Sequence, residues 1–291
     1  MKELTIISGK GGAGKTSITA ALAALASGPI LADCDVDASD LHLLMQPEVR
    51  EKRPFISGHE ATVRADDCVY CGACLAYCRF GAVYEDRDHD TFRINPVLCE
   101  GCGVCVHFCP AKAIDFPEAQ CGEWYISDTR YGKMVHARLN PGAENSGKLV
   151  SEVRQQAKHE AQESGAEWVL VDGPPGIGCP VIASATGADA ILLVTEPTIS
   201  GKHDMERVLD LAKHFRTRAF VVVNKWDINE AMTDEIEKAA SEKGAELAGR
   251  VPYDKAFTEA QIAGMNILEY NNNPAAKEIK EIWEKVCKAM E

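Results

Sequence analysis

Near the N-terminus, the stretch Gly9-Lys10-Gly11-Gly12-Ala13-Gly14-Lys15-Thr16 restricts what this chain can fold into more than any other. It follows the short apolar run Leu4-Thr5-Ile6-Ile7, the signature of a buried strand. It precedes the Ala/Leu-rich run from Ser17 to Ala26, which predicts a helix. Strand, glycine-rich loop and helix together are the context that a phosphate-binding loop needs. The glycines let backbone N–H groups point inward at phosphate oxygens, and the helix adds the positive end of its dipole. Lys15 supplies a point charge for the β- and γ-phosphates, and Thr16 a hydroxyl for Mg²⁺. Residues Gly9 to Thr16, with Ser17, form the candidate cofactor-binding loop.

The rest of the chain continues the same rhythm. Short unbroken apolar runs at Pro29–Ala32, Trp168–Val171, Ala190–Val194, Ala219–Val223 and Glu246–Val251 predict parallel strands covered on both faces. Helical periodicity predicts helices over Ser39–Met45, Ser146–Glu163, His203–His214, Thr233–Glu242 and Pro274–Met290. Trp124-Tyr125-Ile126 and Met134-Val135-His136 alternate around Tyr131-Gly132 as in a hairpin. Between Gln46 and Asp67 the pattern loses periodicity. The fold class is α/β, a doubly wound, mostly parallel sheet.

A cysteine-rich block interrupts that sheet after its second strand. The chain has 12 cysteines, with Cys68-x₂-Cys71-x₂-Cys74-x₃-Cys78 and Cys99-x₂-Cys102-x₂-Cys105-x₃-Cys109-Pro110 in one short stretch. That doubled spacing is the bacterial ferredoxin pattern for two [4Fe–4S] clusters. Three thiolates of a run wrap one cluster and the fourth is carried to the other. Cluster one takes Cys68, Cys71, Cys74 and Cys109; cluster two takes Cys99, Cys102, Cys105 and Cys78. Arg79 stands where two-cluster ferredoxins, which this stretch resembles, usually have proline. A pair of Cys₄ zinc sites is the competing reading, although x₂-x₂-x₃ is not the usual zinc spacing. The expected domains are 1–60 and 118–291, two parts of one nucleotide-binding domain, with a ferredoxin-type domain at 61–117.

Lys10, directly after the first glycine, is the mark of a deviant Walker A loop. The chain therefore resembles the MinD/ParA/nitrogenase-iron-protein group of P-loop ATPases, and specifically members with an inserted ferredoxin domain. The resemblance implies a dimer, of this chain or with a related ATPase, in which Lys10 reaches the partner's nucleotide. It implies ATP and Mg²⁺ as ligands. Asp35, in Asp33-Cys34-Asp35, would position the attacking water. Asp33 and Asp172, the latter in Asp172-Gly173-Pro174-Pro175-Gly176, would stand on the Mg²⁺ side, although Asp33 and Asp35 at a strand end also suit a plain helix cap. Lys10, Lys15 and Asp35 are the implied catalytic residues.

Asn224 and Pro252 would contact the base. Asn224-Lys225-Trp226-Asp227 on its own is the guanine-reading pattern of GTPases, so GTP stands as the alternative to ATP. The function implied is an ATP-hydrolysing switch coupled to an electron-transfer module with an unidentified redox partner. An iron–sulfur cluster or cofactor carrier is the alternative.

Of the remaining cysteines, Cys287 has a core setting, and Cys34 between two aspartates suits a structural role. Cys179 lies seven residues after Asp172, the offset at which the nitrogenase iron protein carries a ligand to a bridging cluster. A small buried residue at a helix start is the alternative there. A net charge of −13 with no basic stripe argues against a nucleic-acid partner. Met1-Lys2 runs straight into the first strand, which leaves no room for a signal peptide. No stretch approaches the roughly 20 apolar residues of a membrane span, and the mixed charges of Lys277–Met290 suit packing on the sheet better than membrane binding. A cytoplasmic protein with no membrane partner is expected.

Overall fold

The chain builds one nine-stranded sheet, described here from a computed structural model that covers residues 1–36, 39–140, 146–270 and 274–291. In chain order the first elements are β1 (Lys2–Ser8), α1 (Lys15–Leu25), β2 (Ile30–Asp33), α2 (Leu41–Met45) and β3 (Glu48–His59). The cysteine block holds β4 (Thr62–Val63), α3 (Ala73–Tyr77), β5 (Val83–Asp86), β6 (Thr91–Ile94), α4 (Val104–Phe108) and β7 (Ile114–Asp115). Then come β8 (Glu118–Asp128), β9 (Lys133–Leu139), α5 (Ser146–Ser164), β10 (Trp168–Pro175), α6 (Cys179–Ala185), β11 (Ala190–Thr195) and α7 (Ile199–His214). The chain closes with β12 (Arg218–Asn224), α8 (Glu230–Glu242), β13 (Glu246–Val251), α9 (Ala256–Ile262), α10 (Ile267–Tyr270) and α11 (Pro274–Ala289).

The sheet order is β13-β12-β11-β1-β10-β2-β9-β8-β3. From β13 to β9 every neighbouring pair is parallel. Strand alternation divides the core into two layers. Leu4, Ile6, Leu170, Leu192 and Phe220 pack with residues of α1 and α11 on one face. Ile7, Ile191, Leu193, Val221 and Val223 pack with residues of α7 and α8 on the other. Each such side chain, fully buried, contributes roughly 1.5–3 kcal/mol. The apolar stripe of α11 is spent in this core: Ile279, Ile282, Trp283 and Val286 are buried, with Trp283 against Trp168 at 4.8 Å between ring centroids. Among the described residues, no helix is long and apolar enough to cross a membrane.

Two compact units divide the chain. One holds Met1–Arg53, Trp124–Arg138 and the chain from Ser146 onward; the other holds Pro54–Glu123 with the segment beginning at Leu139. The second unit has two small ladders, β4 with β7 and β5 with β6, both antiparallel. Its core is Ala61, Val83, Phe92 and Ile114, packed among the cysteines.

The aperiodic stretch from Gln46 contains the twelve-residue strand β3. Its sequence hides this because ten of the twelve residues lie exposed or half-buried and Pro54 interrupts it. An edge strand needs no apolar alternation, and charges such as Arg50, Lys52 and Arg53 suit an edge that must not pair with another chain. The hairpin at Tyr131-Gly132 is present with longer arms, β8 and β9, joined through Thr129 N–H to Gly132 C=O at 2.9 Å.

Candidate functional site

The loop between β1 and α1 opens onto a cavity of about 390 Å³ at the C-terminal ends of the parallel strands. Gly11, Gly12, Gly14, Lys15, Thr16, Ser17, Asp35, Asn224 and Pro252 line it; Gly9, Lys10, Ala13, Asp33 and Asp172 do not. Gly14 caps α1 in the left-handed region, at φ +90°. A Cβ there would also lie 2.3 Å from Asn224 Nδ2, so only glycine fits. Gly9 packs against Asp204 of α7, and the carbonyl of Ala13 accepts a hydrogen bond from Asn224 Nδ2 at 2.8 Å. Lys10 is 57% exposed on its side chain, with Nζ 3.6 Å from Glu196 Oε1.

Beneath the loop lies a buried charge network. Lys15 Nζ is 2.8 Å from Asp172 Oδ1 and 3.6 Å from Asp35 Oδ2. Thr16 and Thr19 each donate a hydroxyl hydrogen bond to Asp172, both at 2.8 Å. Asp33 and Asp172 are register partners on the adjacent strands β2 and β10. Asp33 accepts from Ser39 Oγ at 2.6 Å and from the Asp35 N–H at 3.2 Å. Burial, followed by the Asp172 charge, pushes the Asp33 carboxyl up to about 7. Burial lowers the pKa of Lys15, but the charge and hydrogen bond of Asp172, with Asp35 and Asp33, outweigh it and raise it.

Asp33 and Asp172, buried and in register, share their surroundings with Asp35 and a single ammonium, Lys15, which makes a site short of positive charge. Hydroxyl and carboxylate oxygens are the donors that Mg²⁺ prefers, so Thr16, Asp172 and Asp33 fit that ion.

At the other end of the cavity, Pro252, Tyr253 and Asp254 form a wall with Phe257, Thr258 and Gln261 of α9. Gln261 Nε2 donates to Ser17 Oγ at 2.9 Å, which ties that wall to the loop helix. Lys225 Nζ donates to Gly12 C=O at 3.1 Å and lies 3.5 Å from Glu196 Oε2. Thr19, Glu196 and the α9 residues escaped the sequence reading. Thr19 carries a faint signal, three positions after Thr16 on one helix face; the others come from distant segments.

In the second unit the cysteines gather in two groups of four. Cys68, Cys71, Cys74 and Cys109 line one small cavity, and Cys78, Cys99, Cys102 and Cys105 line another. Each fourth cysteine thus comes from the other sequence run. The remaining walls are largely apolar, among them Val63, Phe92 and Ile114 in the first and Ala61, Val83 and Ile94 in the second. Gly72 and Gly103, both at positive φ, cap α3 and α4 and start them in matching fashion. Backbone donors point at sulfur: the Ala113 N–H lies 3.3 Å from Cys109 Sγ.

Burial raises the Cys78 thiol, but the N–H groups of Phe80, Ala82, Val83 and Gly81 outweigh it and bring it below the ordinary value. Burial pushes Cys74 up to about 11, so a thiolate there calls for a positive partner. Four thiols, an apolar wall and N–H donors to sulfur fit a [4Fe–4S] cluster in each cavity.

Cys121, half-buried, donates to the Ser57 carbonyl at 2.9 Å and lines neither cavity. Cys179 is exposed at the start of α6, and Cys34 is buried beside Val150. Cys287 packs half-buried against the main core. His136 and Ser127 pair at 2.8 Å between Nε2 and Oγ.

The model of the CobQ/CobB/MinD/ParA nucleotide binding domain matches residues 4–267. The chain is 33% identical over 289 residues to an uncharacterised protein of Methanocaldococcus jannaschii, covering 98% of this chain and 96% of that one. It is 27% identical over 154 residues to an iron–sulfur cluster carrier protein of Pyrococcus abyssi, covering 48% of this chain and only 52% of the carrier. The septum site-determining protein MinD of Pyrococcus horikoshii, solved with Mg-ADP, superposes with a TM-score of 0.60 at 16% identity, covering 99% of this chain and 96% of that one. That likeness is one of fold.

Proposed function

The chain belongs to the CobQ/CobB/MinD/ParA nucleotide-binding family, and on that premise we propose that it is a Mg²⁺-ATP-hydrolysing dimeric switch coupled to a two-[4Fe–4S] ferredoxin module, serving ATP-gated electron transfer. One observation carries the reading: a cavity walled by a phosphate-binding loop and two cavities each walled by four cysteines occur in one chain. Residues 61–117 are the ferredoxin-type domain in this reading, and 1–60 with 118–291 the ATPase.

Within the proposed mechanism, backbone N–H groups of the loop hold phosphate oxygens, and Lys15 leaves Asp172 to neutralise the β- and γ-phosphates. Thr16, Asp172 and Asp33 hold Mg²⁺. Asp35, facing the same cavity, orients the attacking water. Lys10, exposed at the rim, serves the partner's nucleotide in a homodimer or a heterodimer with a related ATPase. Asn224 and Pro252 flank the base.

Cys68, Cys71, Cys74 and Cys109 hold one cluster, and Cys99, Cys102, Cys105 and Cys78 the other; such clusters supply one-electron transfer. Nucleotide state then gates which redox partner the module meets. The test is ATP hydrolysis by anaerobically prepared protein, with clusters oxidised and then reduced by dithionite. A rate that changes with cluster redox state supports the reading; identical rates overturn the coupling.

The likeness to the Pyrococcus carrier over about half of each chain favours a second reading, delivery of iron–sulfur clusters to a client. Transfer of clusters to an apo-ferredoxin on ATP addition would support it, and clusters that stay with the protein through turnover would exclude it.

A further inference from the structure

Asn224-Lys225-Trp226-Asp227 has the letters of a guanine reader, yet its parts are employed in different places. Asn224 and Lys225 line the cavity and hold the phosphate-binding loop through the carbonyls of Ala13 and Gly12. Trp226 and Asp227 are not among the residues lining it. The Asp227 carboxylate accepts instead from the backbone N–H of Tyr253, with Oδ1 at 2.7 Å. Tyr253 sits in the centre of Pro252-Tyr253-Asp254, which does line the cavity. Asp254 then accepts from the Ala256 N–H at 2.8 Å and leads into α9, which supplies Phe257, Thr258 and Gln261 to the same wall.

We propose that Asp227 is a positioning residue that sets the base preference to adenine by tethering the 252–254 wall. Guanine presents two adjacent N–H donor groups, and an anionic acceptor facing the base is the strongest way to satisfy them. Asp227 is not among the residues lining the cavity, and its Oδ1 is held by the Tyr253 N–H, so it does not present that acceptor to a base bound there. Adenine, with an amino donor beside neutral ring acceptors, is served by backbone groups of a rigid segment. Guanine placed there would leave desolvated donors unpaired, and unpaired polar groups are what give a hydrogen-bonding site its selectivity. Releasing the tether would let the wall relax, and discrimination between the bases would fall. The inference rests on the nucleotide-binding reading of this cavity.

Wild type, Asp227→Ala and Asp227→Asn are compared by displacement of a fluorescent ATP analogue with ATP and with GTP, in the presence of Mg²⁺. Asp227 is exposed, so the substitutions spare the core. Wild type is expected to favour ATP. Asp227→Ala is expected to lower the ATP-over-GTP ratio at least about tenfold, while Asp227→Asn, which retains a side-chain oxygen acceptor, stays within about threefold of wild type. Loss of affinity for both nucleotides in equal proportion would overturn the proposal, as would an unchanged ratio in Asp227→Ala. Wild type favouring GTP, with that preference lost in Asp227→Ala, would mean that the carboxylate reads guanine itself. If wild type bound neither nucleotide, the cavity reading would fail, and the proposal with it.

Discussion

Arg154 gives the sharpest stability test in this structure. Its guanidinium is buried on α5 and grips the carboxylate of Glu3 in β1, with Nε to Oε1 at 2.9 Å and Nη2 to Oε2 at 2.8 Å. Nη1 donates to the carbonyls of Ala183 and Thr186, at 2.5 and 2.9 Å, where α6 ends. Glu3 is 1% exposed, and its other partner is Lys158, with Nζ at 2.8 Å from Oε2 and a side chain 34% exposed. Breaking a buried ion pair costs about 3–5 kcal/mol, because it leaves a charge unpaired. Lys158 still neutralises Glu3, which removes part of that cost. The two α6 carbonyls lose their donor, which adds about 1–3 kcal/mol for each that stays dry.

Arg154→Ala should therefore lower stability by at least about 3 kcal/mol, and Lys158→Ala by less than about 1 kcal/mol, as for a solvent-screened pair. Urea unfolding followed by tryptophan fluorescence reads this directly, since Trp168 and Trp283 lie in the core. With an m-value of about 3 kcal/mol/M, the midpoint should fall by roughly 1 M or more. A loss below about 1 kcal/mol in Arg154→Ala, or equal losses in the two variants, would refute the assignment of Arg154 as the dominant partner of a buried charge.

Burial, followed by the charge of His42, lowers the pKa of His136 from 6.5 to about 4, so folding holds this imidazole neutral. The stability it confers is intact above about pH 6.5 and is lost as the pH falls toward 4, about 2 kcal/mol by pH 5; His136→Gln should flatten that acid limb in urea midpoints taken at pH 7 and pH 5, and a limb of unchanged slope would refute it. Cys74→Ser should remove about half of the iron and acid-labile sulfide per chain, while Cys121→Ser, outside both cysteine cavities, should leave both unchanged. Zinc without sulfide in wild type would overturn the cluster assignment.

The short motifs that gather at the two candidate sites were legible in the sequence, because a glycine-rich turn before a helix or a tight cysteine spacing is specified within a few residues. Gly9 to Thr16 and the two cysteine runs needed only local spacing to be found, whereas Asp33-Cys34-Asp35 was singled out through the family resemblance. The parallel strands were legible because burial on both faces writes itself as unbroken apolar runs, as in Ala190–Thr195, where every residue is buried. What sequence hid was long-range or edge-bound. Glu3 and Arg154 are 151 positions apart, and neither residue differs in type from a surface charge. The α9 wall has no motif: Phe257, Thr258 and Gln261 matter because Asp254 starts their helix beside the cavity. Strand β3 was missed because only Phe55 and Ser57 of its twelve residues are buried, which leaves too short a period to detect.

For the proposed switch, strand order offers a physical route between nucleotide and cluster states. The cysteine-bearing segment is inserted between β2 and β9, which are direct parallel neighbours in the sheet. In that register Asp33 pairs with His136 on one side and with Asp172 on the other. The same end of β2 therefore carries the proposed Mg²⁺ and water-orienting residues, Asp33 and Asp35, and abuts the strand that leads back out to the second unit at Leu139. Sheet registers are pinned by the buried face, so in the proposed switch a shift of Asp33 on hydrolysis would be absorbed by β9 or by the segment that follows Asp33. Either response would move a chain end of the inserted segment. An insertion at a remote loop would lack this constraint. In the proposed switch the coupling needs no long relay of side chains, only two neighbouring strands that share one hydrogen-bonded register.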